Sequence, residues 1–363
     1  MAITGGGTLS NPYLVNNYTD LNAICKGHGT YWTLGARVYI KFTGDIWGTG
    51  VDWDLSTYSE TVRNQEQTNY YYNVSPFVID MNGYSIVNAH VTTGLLFPVP
   101  KMYGHYAEGG AYLISGYYGQ QLSKMTIIKN GSIVDLTLSD LSDMAIYSTW
   151  LVNVQFINAN VTNHGVSDNK THPAQLFMHN CMIDRCVVIG SMTCQNRGEI
   201  TELASRDYKQ SWFSWSTILH SDLCCNMFNA GEYINAFDKN TLTPYKCGGD
   251  VGWSVAGNMV NTQVWKTRMR GKITGTGDFY KFIDHVTQYN VLDFDMSDCV
   301  QVVGTNRNMC MNGRAGSTYS KNVCNTDNLP NMSTSTLAVT SSQITNGAAL
   351  RQLGFPVTNI DIW

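Results

Sequence analysis

The feature that most constrains this chain is its punctuation. Short apolar runs recur along it, each stopped by Asn, Gly, Asp or Ser, and helical periodicity is confined to residues 18–25. The runs include Met125–Ile128, Ser132–Leu136, Leu151–Ile157, Leu176–Met178, Met182–Ile189, Thr217–Leu219, Val255–Val260, Val264–Met269 and Val291–Phe294. Runs of this length bounded by turn formers read as strands. Several show a strand, an Asn turn and another strand, as in Ile128-Lys129-Asn130-Gly131-Ser132-Ile133 and in Val154 to Val161. The 363 residues hold as many Asn as Gly, 33 of each, so turns are supplied by both. Asn tolerates left-handed backbone, and its amide can ladder along a stack.

Two all-β architectures fit this pattern. In a parallel β-solenoid each coil cannot bury its inner face alone, so coils stack ~4.8 Å apart. An antiparallel β-sandwich is the alternative. It calls for hairpin turns, and hairpin dipeptides are few: Asn82-Gly83, Asn130-Gly131, Asn312-Gly313 and Asn346-Gly347. The solenoid is the preferred reading.

Composition excludes several function classes. Charged residues make up 14 % of the chain, against about 25 % in ordinary domains. A net charge of −4 gives no basic field for phosphates, so nucleic acid is not an expected partner. With 43 % hydrophobic and 12 % aromatic residues, the chain can offset the entropy of folding. No apolar run approaches the ~20 residues of a bilayer span, so membrane insertion is not expected. The first residues lack the basic and apolar regions of a signal peptide. The ten Cys form no CxxC and are expected to be reduced thiols packed as small hydrophobes. A zinc site around His179, Cys181 and Cys186 has the wrong spacing for a finger or ribbon. No metal or cofactor is expected.

Residues 5–46 read as one unit. A Gly-rich turn leads through Asn11-Pro12 into a strand at Tyr13-Leu14-Val15. Asn17 is a good N-cap with Asp20 three residues on, and Tyr18, Leu21 and Ile24 share a face of the short helix that follows. Ala36 to Phe42 then alternates apolar and polar before Gly44-Asp45-Ile46. This order, with Asn-Pro-Tyr-x-Val, then Asp-Leu-x-x-Ile, then Tyr-Ile-Lys-Phe-x-x-Asp-Ile, resembles the opening of right-handed parallel β-helix proteins. Such openings occur in bacteriophage tail spikes, other virion surface proteins and bacterial surface repeat proteins. Phe77 to Val91 continues the likeness loosely.

The resemblance implies an all-β fold: a right-handed single-stranded parallel β-helix with a short N-terminal capping helix. The implied organisation is a cap and first strand over 1–50, an excursion over 51–76 and the β-helix over 77–305. Long loops are expected near 94–121 and 193–216, and a closing or oligomerisation segment over 306–363. It also implies a bacteriophage virion structural protein, a tail spike, fibre or surface component engaged in host-surface attachment. Alternatives are a polysaccharide-degrading tail spike (hydrolase or lyase), a capsid decoration protein and a secreted bacterial adhesin. The missing export signal favours assembly in a host cytoplasm and residence in the virion. Tail spikes usually carry a separate N-terminal anchor, whereas here the cap motif begins at residue 5.

Catalytic motifs are hard to find. Gly271 to Gly277 lacks the order of a phosphate-binding loop, and there is no GxSxG or HExxH. Asp293 and Asp295 sit two apart in an alternating strand, roughly 7 Å from each other on one side, within range of a glycosidase pair. Glu199 and Glu202 lie in a charged segment and read more simply as a solvated loop. Gly27-His28-Gly29 and Asn325-Thr326-Asp327 match motifs of polygalacturonase-like hydrolases, but in reversed order and at opposite ends of the chain. They are read as accidents. His285 beside Asp284 reads as a surface pair, and His164 and His172 flank a polar loop.

Aromatic clusters are the candidate binding residues: Trp212 and Trp215, Tyr117 and Tyr118, and Tyr71 within Tyr70-Tyr71-Tyr72, all in Ser/Gln-rich surroundings read as loops. Their flat faces suit sugar rings and protein partners alike. A host-surface glycan and other virion proteins are therefore expected partners. A lone solenoid with this aromatic load and little charge would be poorly soluble, so a homotrimer is expected. Phe355, Ile360, Ile362 and Trp363, in an apolar C-terminal stretch with no evident cover, are its candidate interface; folding back as an intrachain plug is the alternative.

Overall fold

The computed structural model describes residues 3–33, 36–55, 77–92, 94–98, 125–139, 144–147, 149–163, 176–179, 181–194, 211–214, 217–229, 259–260, 263–265, 268–274, 281–284, 287–288, 291–295, 308–311, 323–325 and 337–342. Strands account for 52 % of the interpretable residues, and one helix precedes most of them.

The strands fall into four ladders. The first runs Tyr13–Val15, Val38–Phe42, Phe77–Asp80, the start of Thr126–Val134, the start of Thr149–Asn163, Met182–Asp184, Thr217–Leu219, Gln263–Trp265 and Thr287–Gln288. The second takes Ile46–Trp47, Ser85–Val87, later parts of the two long strands, Val187–Cys194, Asp222–Asn229, Arg268–Thr274, Val291–Asp295, Val323–Asn325 and Leu337–Val339. The third joins His90–Val91, Thr137–Ser139 and the far ends of the strands beginning at Thr149, Val187, Asp222 and Arg268. These three form one 19-stranded sheet. A six-stranded sheet is the fourth: Met144–Tyr147, Leu176–His179, Ser211–Ser214, Met259–Val260, Lys281–Asp284 and Asn308–Met311.

Every strand pairing among the described residues is parallel, which excludes the antiparallel sandwich for this part of the chain; the Thr4–Leu14 contact is an isolated antiparallel bridge. The ladders begin at Tyr13, ahead of residue 77, and continue to Val339, past residue 305. The spacing between successive rungs is irregular, from 14 residues (Cys324 to Ala338) to 49 (Ile79 to Ile128).

Alternation within each short strand builds the core. Ile40, Ile79, Ile128, Leu151, Ile183 and Ile218 stack one per rung in the first ladder, all buried. Ile46, Ile86, Ile133, Phe156, Val188 and Leu223 do the same in the second, and Val91, Leu138 and Val161 in the third. Each residue thus packs on a like residue above and below, the tight contact that stabilises a stacked core.

Corners between ladders are turned by left-handed residues, single except at Asn82, where Gly83 follows with φ 85°. Asn82, Asn130, Asn153, Arg185 and His220 lie between the first and second ladders; Asn88, Asp135 and Asn158 lie between the second and third, with φ from 48° to 60° across both sets. Asn is favoured there because its short polar side chain lowers the cost of positive φ. The amides ladder: Asn153 Nδ2 donates to Asn130 Oδ1 (3.2 Å), Asn130 Nδ2 to Asp80 Oδ1 (3.2 Å) and Asn158 Nδ2 to Asp135 Oδ1 (2.7 Å). A register shift after Ile157 leaves no residue opposite Asn158, so Val187–Cys194 runs straight through the second corner.

Asp80 ties this ladder to charge. Burial raises its carboxyl, but hydrogen bonds from Lys129, Asn130 and the Asn82 backbone, with the Lys129 charge, outweigh that and hold it below its ordinary value. A depressed folded-state value means the stabilisation is present above the unfolded value and is lost as pH falls through the folded one. Asp80→Asn is therefore expected to cost about 1 kcal/mol or less at neutral pH, since the pair is partly solvated. The difference from wild type should vanish below that folded value, as read from denaturant midpoints across an acid series.

The N-terminal cap follows the sequence signals closely. Helix α1 spans Tyr18–Lys26, with Asn17 Oδ1 accepting from Asp20 N (2.9 Å) and Asn17 Nδ2 donating to Asp20 Oδ2 (2.7 Å). Leu21, Ile24 and Cys25 are buried. Trp32 Nε1 donates to the Ile24 and Cys25 carbonyls, satisfying acceptors the helix end leaves open. Tyr18 packs on Trp53 with the rings tilted by 46°, and Trp53 Nε1 donates to Leu96 O (3.0 Å), joining the cap to the coils beneath.

Two expectations need correction. The loop read over 193–216 begins and ends as strand, since Val187–Cys194 and Ser211–Ser214 are both paired. Trp212 accordingly lies in a strand rather than a loop. Its Ser-rich flanks suggested a turn, but Ser211–Ser214 is fixed by parallel pairing to Leu176–His179 and Met259–Val260. Cysteine burial is also uneven: Cys25, Cys181 and Cys186 are buried and outside any disulfide, whereas Cys224 is half-buried. Burial pushes the Cys186 thiol up to about 12, and Cys25 is raised by the same cause.

Candidate binding face along the second and third ladders

The residues that alternate with the core project outward, and on the second ladder one of their columns is apolar. Trp47 pairs with Val87, Val87 with Val134, Val134 with Ile157, Ile157 with Ile189 and Ile189 with Cys224. Five large hydrophobics are exposed among the described residues, and three of them, Trp47 (59 %), Ile157 (39 %) and Ile189 (37 %), belong to this single column. Scattered exposed apolar residues need no explanation, but a contiguous column marks a contact surface.

Across the Asn88–Asp135–Asn158 corner the third ladder presents polar groups instead. Its rungs repeat a polar–apolar–hydroxyl tripeptide: His90-Val91-Thr92, Thr137-Leu138-Ser139, Asn160-Val161-Thr162 and Ser191-Met192-Thr193. Val91, Leu138 and Val161 fill the core, which leaves His90, Thr92, Thr137, Ser139 and Asn160 on the outer side. Hydrogen bonds hold several of them: Ser191 Oγ donates to Asn160 Oδ1 (2.8 Å), Asn160 Nδ2 to Asn158 Oδ1 (3.2 Å) and Thr92 Oγ1 to Asp52 Oδ1 (2.8 Å). An apolar stripe beside an ordered row of amides and hydroxyls can hold a ligand that is itself part apolar and part hydroxylated.

No family model matches the chain, and no curated protein matches it. Among solved structures it is similar to a "putative immunoglobulin A1 protease from Bacteroides ovatus", at 10 % identity over 96 % of this chain and 89 % of that one, with a TM-score of 0.40. That degree of overlap carries no inference about this chain.

The residues singled out from sequence fare unevenly. Asp293 and Asp295 do lie two apart in strand Val291–Asp295, and the register places Arg270 beside Asp293 and Lys272 beside Asp295. Glu199, Glu202, Tyr71, Tyr117, Tyr118, Trp215, Phe355, Ile360, Ile362 and Trp363 lie outside the described residues, as do His164, His172 and His285. Within Gly27-His28-Gly29, His28 packs on Trp32 (4.8 Å) and Gly27 N bonds Ile24 O at the end of α1, a structural role. Among the described residues no three His, Cys, Asp or Glu side chains come close enough to hold a metal.

Sequence reading missed Trp47, Ile157, Ile189 and the polar tripeptides. Aligning the strands on their left-handed residues, Asn88 with Asp135 and Asn158, brings both columns into register. Irregular spacing between rungs concealed that alignment.

Proposed function

We propose that this chain is a right-handed single-stranded parallel β-helix capped by α1. We further propose that it is a structural protein of a bacteriophage virion, a tail spike, fibre or surface component that attaches to a host-surface glycan. The hand of the winding is supported by the resemblance of residues 5–46 to β-helix caps, and the winding itself by parallel rungs whose partners come one circuit apart. The observation that carries attachment is the strip of Trp47, Ile157 and Ile189 beside Asn158, Asn160 and Ser191. Sugar rings offer apolar C–H faces for the stripe and hydroxyls for the amides and serine.

The test is binding of the full chain to a panel of host capsular and lipopolysaccharide glycans. One of them should bind, and Ile157→Asp should weaken that binding at least tenfold with an unchanged circular dichroism spectrum. Absence of binding across the panel overturns attachment through this strip, and sustained release of reducing ends overturns a purely structural role. A homotrimer is part of the same proposal, with Phe355, Ile360, Ile362 and Trp363 at its interface. Light scattering should give three times the 40.4 kDa chain mass at micromolar concentration; a mass near 40.4 kDa overturns the trimer.

A further inference from the structure

A serine and a histidine from different rungs meet on the outer side of the third ladder. His90 Nε2 lies 2.6 Å from Ser139 Oγ, although the two are 49 residues apart in sequence. His90 pairs in register with Thr137, so its ring reaches diagonally across one rung to the residue two beyond. His90 is exposed and Ser139 half-buried, so the pair is open to solvent. On the preceding rung Asp52 forms a parallel bridge with His90, placing a carboxylate-bearing residue one strand spacing (~4.8 Å) from it. Thr92 Oγ1 donates to Asp52 Oδ1 (2.8 Å) and so holds that carboxylate in place.

The core and the corners are complete without this grouping, which lies within the polar row of the third ladder. It supplies the first requirement of an activated nucleophile, a hydroxyl within hydrogen-bond reach of a base, and an Asp is bridged to the backbone of that base. We propose that Ser139 and His90 form a nucleophile–base pair that hydrolyses carboxylic esters, an activity beyond the attachment role. Ser139 Oγ adds to the ester carbonyl carbon as its proton passes to His90 Nε2. The carbon–oxygen bond to the alcohol then breaks, and the departing oxygen takes the proton from His90, leaving acyl-Ser139. Water adds to that acyl group, giving a proton to His90; the acyl–Oγ bond breaks, Ser139 recovers the proton, and the carboxylic acid leaves. The negative charge of Asp52 stabilises the imidazolium formed in each half.

The test uses the full wild-type chain with a fluorophosphonate label and with p-nitrophenyl acetate. Peptide mapping should place the adduct on Ser139. Ser139→Ala and His90→Ala should each lower turnover at least ~100-fold, while Ser139→Cys keeps an acylatable group. Asp52→Asn should lower kcat and leave KM unchanged. An unlabelled wild-type Ser139, or turnover that survives in Ser139→Ala, overturns the proposal; the mapping holds even where a variant fails to fold.

Discussion

Phe156→Ala is expected to destabilise the protein by about 3–5 kcal/mol, seen as a large fall in the denaturant midpoint. Phe156 is fully buried at mid-stack, between Ile133 on one rung and Val188 on the next. Truncation removes apolar area and leaves a cavity whose walls are branched side chains fixed by in-register backbone on both sides. Such walls collapse poorly, which places the loss toward the upper end of that range. Phe156→Leu keeps much of the volume and should recover most of the stability. A loss under ~1 kcal/mol for the alanine variant would mean the column is not continuously packed.

Trp53→Ala should cost a similar ~3–5 kcal/mol, but its effect should begin at the N-terminus. Trp53 is fully buried, packs on Tyr18 of α1 with ring centroids 4.7 Å apart and donates to the Leu96 carbonyl. Removing it loosens the helix from the coils and leaves a buried acceptor short of its donor. Hydrogen exchange should therefore show early opening of Tyr18–Lys26, ahead of the middle rungs. Uniform loss of protection across the stack would indicate that cap and coils unfold as one unit.

The cap was the most legible part of the chain because its signals are local. Asn17, Asp20, Leu21 and Ile24 specify the helix within about two turns, and the expected capping contacts are present. Core strands were legible through alternation, and Thr217–Leu219 has the expected bounds. Register was less so, because it depends on which of many similar strands stack, and the intervals vary. The Ser211–Ser214 strand escaped because pairing partners, rather than its own residues, make it a strand. The outward columns were invisible for the same reason: Ile157 looks like core in sequence, and only its neighbour Phe156 settles which of the two faces in.

The variable interval between rungs also bears on how such a chain changes over time. Registers stay matched whether 23 residues or 49 separate consecutive rungs, so segment length and scaffold geometry are independent quantities. Three of the segments, 164–175, 195–210 and 230–258, depart after the third ladder and return at the six-stranded sheet. Lengthening a closed segment costs entropy only logarithmically, about 0.6 kcal/mol per doubling. Segments between rungs can therefore lengthen or be exchanged in evolution while the register that builds the patterned face is kept.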